Sequence, residues 1–147
     1  MICIQEGVSN FNPLIYFFGN TSPQDNIELY KHMVSTVAIQ VDKRLAKDED
    51  ANASGIVVNT CGWVEGPGLD VVLHVIKAFS IDIILVMNHD KLYSNLVASV
   101  DGVGSKTVVV KLPISGGIVR RVSLLSLYVL CWHMTLGTDS IRIVKYT

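Results

Sequence analysis

The sequence lacks the cysteine and histidine patterns that accompany disulfide frameworks and zinc sites. Its cysteines, Cys3, Cys61 and Cys131, are odd in number, lie far apart and form no C-x-x-C pair. The four histidines show neither an H-x-x-x-H motif nor a spacing that joins them to a cysteine. We therefore expect a reducing compartment, no disulfide framework and no bound metal.

Charge is also scarce, since charged residues make up 17% of the chain and the net charge is -1 at pH 7. No overall basic field is available to attract nucleic acid or a membrane surface, so any such binding needs a local patch. The apolar stretch Val122 to Leu136 is shorter than the about 18 to 20 residues that cross a bilayer, and it contains His133. We predict a buried helix or strand there rather than a membrane span. No basic region precedes Glu6, which argues against a secretory signal.

What the chain does contain is apolar sequence. Hydrophobic residues make up 50% of its 147 residues, which is enough for the core of one domain. Short runs rich in valine and isoleucine alternate with segments of helical periodicity. The predicted strands are Leu14 to Phe18, Gly55 to Asn59, Ile81 to Met87 and Lys106 to Pro113.

The first predicted helix follows the first strand. Ser22 is its expected N-cap, Pro23 its first helical position and Asp25 an acid near the helix N-terminus, where the exposed amides favour negative charge. Its apolar stripe recurs at spacings of three and four: Ile27, Tyr30, Val34, Val37, Val41 and Leu45. The polar run at 46–54 is predicted to be a solvated loop.

Two further helices are predicted, one after each of the next two strands. The apolar stripe of the second consists of Leu69, Val72, Leu73, Ile76 and Phe79. The third helix, over 88–100, has Asn88 or Asp90 available as its cap. The alternation of strands and helices predicts an α/β fold with a mainly parallel sheet and helices on both faces. Ligands of such sheets gather at the carboxyl ends of the strands.

The segment Gly102 to Thr107, "GVGSKT", imitates a phosphate-binding loop but departs from it in two respects. A true loop reads G-x-x-x-x-G-K-[ST] and leads into a helix, whose N-terminal amides and dipole bind the phosphate. Here the lysine is out of register and the segment leads into a valine-rich strand. We predict a turn. No G-x-S-x-G motif occurs, and no nucleophile is paired convincingly with a histidine.

The stretch Asn59 to Gly68, "NTCGWVEGPG", places glycines around Trp63 at the end of a predicted strand. Glycine permits positive φ and close backbone approach, and a tryptophan in a loop offers a flat face on which a base can stack. The alternative is that Trp63 packs at the corner between strand and helix while the glycines only turn the chain. The residues alone leave both interpretations open and favour packing.

Four collinear blocks carry a family resemblance: "PLIYFFGNTSPQDNIELY", "SGIVVNTCGWVEGPG", "AFSIDIILVMNHDKLYSNL" and "VVVKLPISGGIV". Together they resemble the second half of the P-loop kinase domain of the Clp-type RNA 5′-hydroxyl kinases. The resemblance covers residues 6–121, and residues 122–147 form a divergent apolar tail.

The resemblance implies an α/β P-loop kinase-type domain that uses ATP and Mg²⁺ to phosphorylate the 5′-hydroxyl of RNA. It also implies a nuclear location and two sets of partners, the cleavage and polyadenylation factor subunits and the tRNA-splicing endonuclease. Carried over residue by residue, it makes Thr21, Gly62 and Trp63 contacts to the RNA end. The block "LPISGGIV", Leu112 to Val119, resembles the approach to the family's arginine-rich lid, and Arg120 and Arg121 are the lid-like cations that remain in this sequence.

The departures from the family pattern concern catalysis. The Walker A strand, loop and helix, and the acidic residues that bind magnesium, precede this region in the family and are absent from the sequence. Phosphoryl transfer depends on those groups, so we predict that this chain alone is inactive, as a fragment of such a kinase. The family's C-terminal domain is also missing, unless "SIRIVKYT" is a remnant of one of its strands. The alternatives are a non-catalytic module that binds RNA or protein, and a partial sheet whose exposed edge keeps it from staying soluble.

Overall fold

The fold is known from a computed structural model that describes residues 14–60, 62–87, 89–101, 106–113 and 141–145. A short 3-10 helix at Pro23–Asp25 precedes the first α-helix. The remaining elements follow in chain order: α1 Ile27–Leu45, α2 Glu49–Ser54, β1 Ile56–Asn59, α3 Pro67–Ala78, β2 Ile83–Met87, α4 Asp90–Asp101, β3 Val108–Leu112 and β4 Ile141–Lys145.

The strands form one sheet in the order β1-β4-β2-β3. β2 and β3 are parallel, whereas β4 is antiparallel to both of its neighbours. β1, β2 and β3 therefore point in one direction, with β4 inserted between the first two. The predicted α/β class is confirmed. β4 consists of residues 141–145 of the stretch "SIRIVKYT", and these residues belong to this sheet.

One face of the sheet carries the core. The register places Val58, Ile84 and Val109 in one row across the sheet, and Ile84 and Val86 are fully buried. Three helices add buried side chains to the same cluster: Val37 and Ala38 from α1, Val72, Val75 and Ile76 from α3, and Leu92, Leu96 and Val100 from α4. Burying each such side chain contributes about 1.5 to 3 kcal/mol, so this cluster is the main source of stability.

The opposite face is more open. Val57, Ile83 and Val108 share a row on it, and Val57 and Val108 are 69% and 55% exposed. α1, α3 and α4 all contribute to the cluster on the first face. Within the described ranges, α1, α3 and α4 therefore pack on the first face of the sheet. Helices were predicted on both faces, and none of these three packs on the second face.

The strand predicted at Leu14 to Phe18 does not form, and this segment has no regular secondary structure. Its burial alternates as in a strand: Tyr16 packs against the core while Ile15 and Phe17 are 65% and 92% exposed. A strand also needs a neighbour for its backbone N–H and C=O groups, and no described strand pairs with this segment. The apolar alternation is therefore real, but the pairing that makes a strand is missing.

The first helix begins later than predicted. Ser22 does form a capping box, with its hydroxyl accepting from the Gln24 N–H at 3.3 Å and the Asp25 carboxylate accepting from the Ser22 N–H at 3.0 Å. That box caps only the short 3-10 helix. α1 begins at Ile27, because the Asn26 side chain provides a second cap and accepts from the Leu29 N–H at 3.0 Å.

The prediction of a loop at 46–54 is wrong in part, because residues Glu49–Ser54 form the helix α2. None of its residues is buried, so it has no apolar stripe that a periodicity search can detect. Its signal is local: the Asp48 carboxylate accepts from the Ala51 N–H at 3.0 Å, and two acids occupy the first turn. The prediction of a solvated segment is correct; the prediction of a loop is not.

α4 is capped by His89, whereas Asn88 or Asp90 was predicted as its cap. The Leu92 N–H donates to Nδ1 of His89 at 3.0 Å, so His89 satisfies an amide at the helix start. Asp90 is instead the first residue of the helix, and Asn88 lies outside the described residues. Among the helices that the structure describes, none has the length and apolar character to cross a bilayer.

Candidate functional site

The candidate site lies at the carboxyl edge of the sheet. β1, β2 and β3 point the same way, so Asn59, Met87 and Leu112 end at one edge. The loop that contains Trp63 leaves this edge after β1. One strand separates β1 from β2, so the loops that follow these two strands begin about 10 Å apart.

Glycines shape the loop before α3. Gly62 and Gly66 have φ values of 68° and 53°, in the left-handed region that side chains disfavour. Between them, Val64 is buried at 7% exposure and Trp63 is half-buried. This turn places Trp63 against the first turn of α3.

Gly68, in the first turn of α3, makes the closest approach to Trp63. A Cβ added to Gly68 would lie 2.5 Å from the Trp63 carbonyl oxygen and 2.8 Å from Cδ2 of its indole. Both the backbone and the ring of Trp63 therefore lie directly against this turn of helix. Packing at the corner between strand and helix, the interpretation that the residues alone favoured, is present in the structure.

The same helix start is poorly suited to bind phosphate. Pro67 has no N–H, and the Gly68 and Leu69 N–H groups donate to the carbonyls of Glu65 and Gly66 at 3.0 and 3.1 Å. A phosphate at a helix N-terminus needs free amides and no nearby negative charge. Here the first amides are used, and the exposed Glu65 carboxylate adds negative charge. The geometry favours an uncharged ligand group beside Trp63.

Thr60 is a residue of this edge that the sequence analysis did not identify. It follows β1 directly, and its Oγ1 is a buried side-chain atom with no hydrogen-bond partner. Leaving a buried hydroxyl unsatisfied costs about 1 to 3 kcal/mol. A water molecule or a ligand atom would remove this cost. No sequence signal indicates it, because threonine at a strand end ordinarily finds a backbone partner.

Thr21 lies on a different loop, the one before α1. It is exposed, and its hydroxyl donates to the Asp25 carboxylate at 3.4 Å, a long and weak hydrogen bond. Gly62 and Trp63 therefore lie together in one loop, and Thr21 lies in another. Arg120 and Arg121, the predicted lid cations, fall outside the described residues.

A serine and a histidine meet between α1 and α3, although the sequence showed no such pair. Ser35 Oγ lies 2.9 Å from His74 Nε2, and Nε2 lies 3.0 Å from the carbonyl oxygen of Lys31. The Ser35 hydroxyl donates to the same Lys31 carbonyl at 3.1 Å, so its proton is directed at the backbone of α1 and not at His74. The pair links two helices and has no catalytic geometry.

The end of "GVGSKT" lies at the opposite, amino edge of the sheet. The Thr107 hydroxyl donates to the Ile81 carbonyl at 2.8 Å, and the Val108 N–H donates to the Asp82 carbonyl at 2.7 Å. Lys106 and Thr107 thus lead into β3 rather than into a helix, as predicted. Gly102 to Ser105 lie outside the described residues.

Potential metal ligands are scattered in the described part of the chain. No group of three or more His, Cys, Asp or Glu side chains converges there. At the carboxyl edge, Asp90 is paired with Lys111, Oδ1 to Nζ at 2.6 Å, across α4 and β3. Both side chains are exposed, so this pair contributes less than about 1 kcal/mol.

The chain is similar to known proteins over most of its length. Residues 1–125 match the family described as mRNA cleavage and polyadenylation factor CLP1 P-loop. The Protein CLP1 homolog of Nematostella vectensis is 42% identical over 118 residues, which are 80% of this chain and 27% of that protein. The polyribonucleotide 5′-hydroxyl-kinase Clp1 of Homo sapiens is 39% identical over 118 residues, with the same coverage. The chain thus spans about a quarter of the length of these relatives. It belongs to the CLP1 P-loop family.

Proposed function

We propose that this chain binds the 5′ end of RNA and corresponds to the substrate-binding part of a polyribonucleotide 5′-hydroxyl kinase. The observation that supports this best is the position of Trp63. Its half-buried indole lies against the first turn of α3 at the carboxyl edge of the sheet, beside a helix start whose first amides are already used. Such a site suits a nucleobase better than a phosphate.

In this proposal the base at the RNA end stacks on the exposed part of Trp63. Stacking on an aromatic side chain contributes about 1 to 3 kcal/mol per base and requires no particular sequence. The exposed Glu65 and Asp70 carboxylates repel phosphate, so the base and not the backbone approaches this loop. Thr21 offers a weakly held hydroxyl for the sugar, and Arg120 and Arg121 offer positive charge for the phosphates.

We propose that the chain alone does not transfer phosphate. Transfer requires groups that hold the β- and γ-phosphates of ATP and the Mg²⁺ ion. The sequence contains no G-x-x-x-x-G-K-[ST] loop, and the Thr107 hydroxyl of the imitating segment is bonded to the Ile81 carbonyl. ATP and Mg²⁺ belong to this proposal only as cofactors of the whole enzyme.

Membership of the CLP1 P-loop family supports a proposal for the cellular role. We propose that the protein acts in the nucleus, in mRNA 3′-end processing and tRNA splicing. Its partners there would be cleavage and polyadenylation factor subunits and the tRNA-splicing endonuclease. Co-purification of the tagged chain with those subunits from nuclear extract tests this role, and consistent absence of all of them would contradict it.

A second candidate function is protein binding without RNA. It is favoured by the segment 14–18, where Ile15 and Phe17 are 65% and 92% exposed. Exposed apolar side chains that lie close together mark protein contact sites. Ile15→Ser with Phe17→Ser, in one variant, would abolish partner binding on this hypothesis while leaving RNA binding unchanged.

The experiment for RNA binding uses the full chain and a labelled oligonucleotide with a 5′-hydroxyl. Trp63→Ala is expected to weaken binding about tenfold, whereas Trp63→Phe retains a stacking ring and most of the affinity. Unchanged binding by Trp63→Ala would overturn the stacking role. In a parallel assay with labelled ATP, the unaltered chain is expected to transfer no phosphate, and measurable transfer would overturn the proposed inactivity.

A further inference from the structure

We infer that Gly68 is the positioning residue for Trp63. Because Gly68 has no side chain, Trp63 packs directly against the first turn of α3, and this contact fixes the orientation of the indole at the carboxyl edge. The inference rests on the proposed function, because the fixed ring is the surface on which the RNA base stacks. Gly68 itself is buried and lies in the first turn of α3, so it does not contact RNA. It acts through Trp63.

The contact leaves no room for any side chain at this position. A Cβ on Gly68 would lie 2.5 Å from the Trp63 carbonyl oxygen and 2.8 Å from both its carbonyl carbon and Cδ2. Two of these three atoms are backbone, so a rotamer change of the indole cannot relieve the overlap. Interiors are packed closely enough that even one added methyl group is felt.

The helix cannot easily move away from Trp63 either. The Gly68 N–H donates to the Glu65 carbonyl at 3.0 Å, which ties the first turn of α3 to the loop. Further along the helix, Val71, Val72 and Val75 are buried in the core. A methyl group at Gly68 is therefore expected to displace the Trp63 loop and not the helix.

Gly66 provides a matched control two residues away. It has a φ of 53°, so an alanine there strains the backbone, but nothing lies within 4 Å of its added Cβ. The two glycines thus serve different purposes. Gly66→Ala tests backbone strain in the same loop without contact with Trp63, and Gly68→Ala tests the contact itself.

The experiment uses the full chain with Trp132→Phe, so that the emission maximum and quenching of tryptophan fluorescence report Trp63 alone. Gly68→Ala is expected to change the Trp63 signals without RNA present and to weaken binding of a 5′-hydroxyl oligonucleotide about tenfold. Gly66→Ala is expected to keep the Trp63 signals. In a Trp63→Ala background, Gly68→Ala is expected to cause no further loss of RNA binding, whereas a merely structural role would add one.

Each outcome bears on a different claim. If Trp63→Ala binds RNA normally, the proposed stacking fails, and the Trp63 signals in Gly68→Ala still decide whether Gly68 orients the ring. If Trp63→Ala weakens binding but Gly68→Ala changes neither binding nor the Trp63 signals, the inference is overturned. If Gly68→Ala does not fold, the fluorescence anisotropy decay of Trp63 in the Trp132→Phe protein tests whether the indole is fixed. A nanosecond component from local ring motion would contradict a fixed indole, and its absence would support one.

Discussion

The loop before α1 and the loop before α3 are held in place in different ways. Residues 19–26 are mostly exposed and are held by side chains, with Ser22, Asp25 and Asn26 accepting backbone N–H groups at 3.0 to 3.3 Å. Residues 62–66 are held by glycine conformations and by the contact between Gly68 and Trp63. When a capping side chain is removed, water can accept the hydrogen bond from the backbone N–H group. When a methyl group is added at Gly68, the overlap with Trp63 is relieved only if the backbone shifts.

The difference bears on which loop orients a ligand group. The hydroxyl of Thr21 is held only by a hydrogen bond of 3.4 Å and can turn toward a ligand. The ring of Trp63 packs against Gly68 in the first turn of α3, where its Cδ2 would lie 2.8 Å from an added Cβ. We therefore expect substitutions around Trp63 to have larger effects than substitutions around Thr21, and the following predictions are ordered accordingly.

The largest effect on stability is expected for Gly68→Ala. The overlap with Trp63 forces the loop to shift, and overpacking of this kind costs about 1 to 3 kcal/mol. Urea unfolding followed by far-ultraviolet circular dichroism measures the loss. Gly66→Ala is the control, with a cost of about 1 kcal/mol from its positive φ alone. Equal losses for the two variants would mean that the contact with Trp63 adds nothing.

A smaller loss is expected for Asn26→Ala. This change removes the cap at the start of α1, where the side chain accepts from the Leu29 N–H at 3.0 Å, and costs about 1 kcal/mol. Asn26→Asp keeps an accepting oxygen and serves as the control. A loss as large as that of Gly68→Ala would contradict the distinction drawn between the two loops.

Thr60→Val is expected to raise stability by about 1 kcal/mol, because it removes a buried hydroxyl without a partner and keeps the shape of the side chain. Thermal unfolding measures the gain, and Thr60→Ser, which keeps the hydroxyl, is the comparison. A loss of stability in Thr60→Val would show that the hydroxyl is satisfied in solution, for example by an ordered water.

The smallest effect is expected for Thr21→Val. The side chain is exposed and its hydrogen bond to the Asp25 carboxylate is long, at 3.4 Å, so the stability change stays within about 0.5 kcal/mol. Urea unfolding measures it. A change above about 1 kcal/mol would place Thr21 among the structural residues of the loop and weaken its assignment as a free ligand contact.

Several elements of the fold were predictable from local pattern. β1, β2, β3, α3 and α4 all lie where the predicted strands and helices were placed, because their apolar residues repeat at the period of the element they form. The positions of Gly62 and Trp63 in a loop at a strand end were predicted for the same reason. Their contact with RNA remains a prediction.

Other features depend on neighbours that no local pattern contains. The segment Leu14 to Phe18 has the alternating burial of a strand but pairs with no described strand. β4 lies between β1 and β2 in the sheet, although both of these strands are far from β4 in the sequence. α2 is held by the Asp48 cap, without burial. Each of these depends on a pairing, a cap or a burial that hydrophobic periodicity does not report.

Residue order alone therefore specifies the α/β class, most helices and strands, and the glycine-rich turn after β1, since these follow from short-range periodicity and backbone preference. The contact of Gly68 with Trp63, the buried Thr60 hydroxyl and the link between Ser35 and His74 arise only when separate segments come together. Distances of this kind depend on packing in three dimensions. At "NTCGWVEGPG" the sequence left stacking and packing open as alternatives, whereas the folded chain packs Trp63 against α3 and leaves part of its ring exposed.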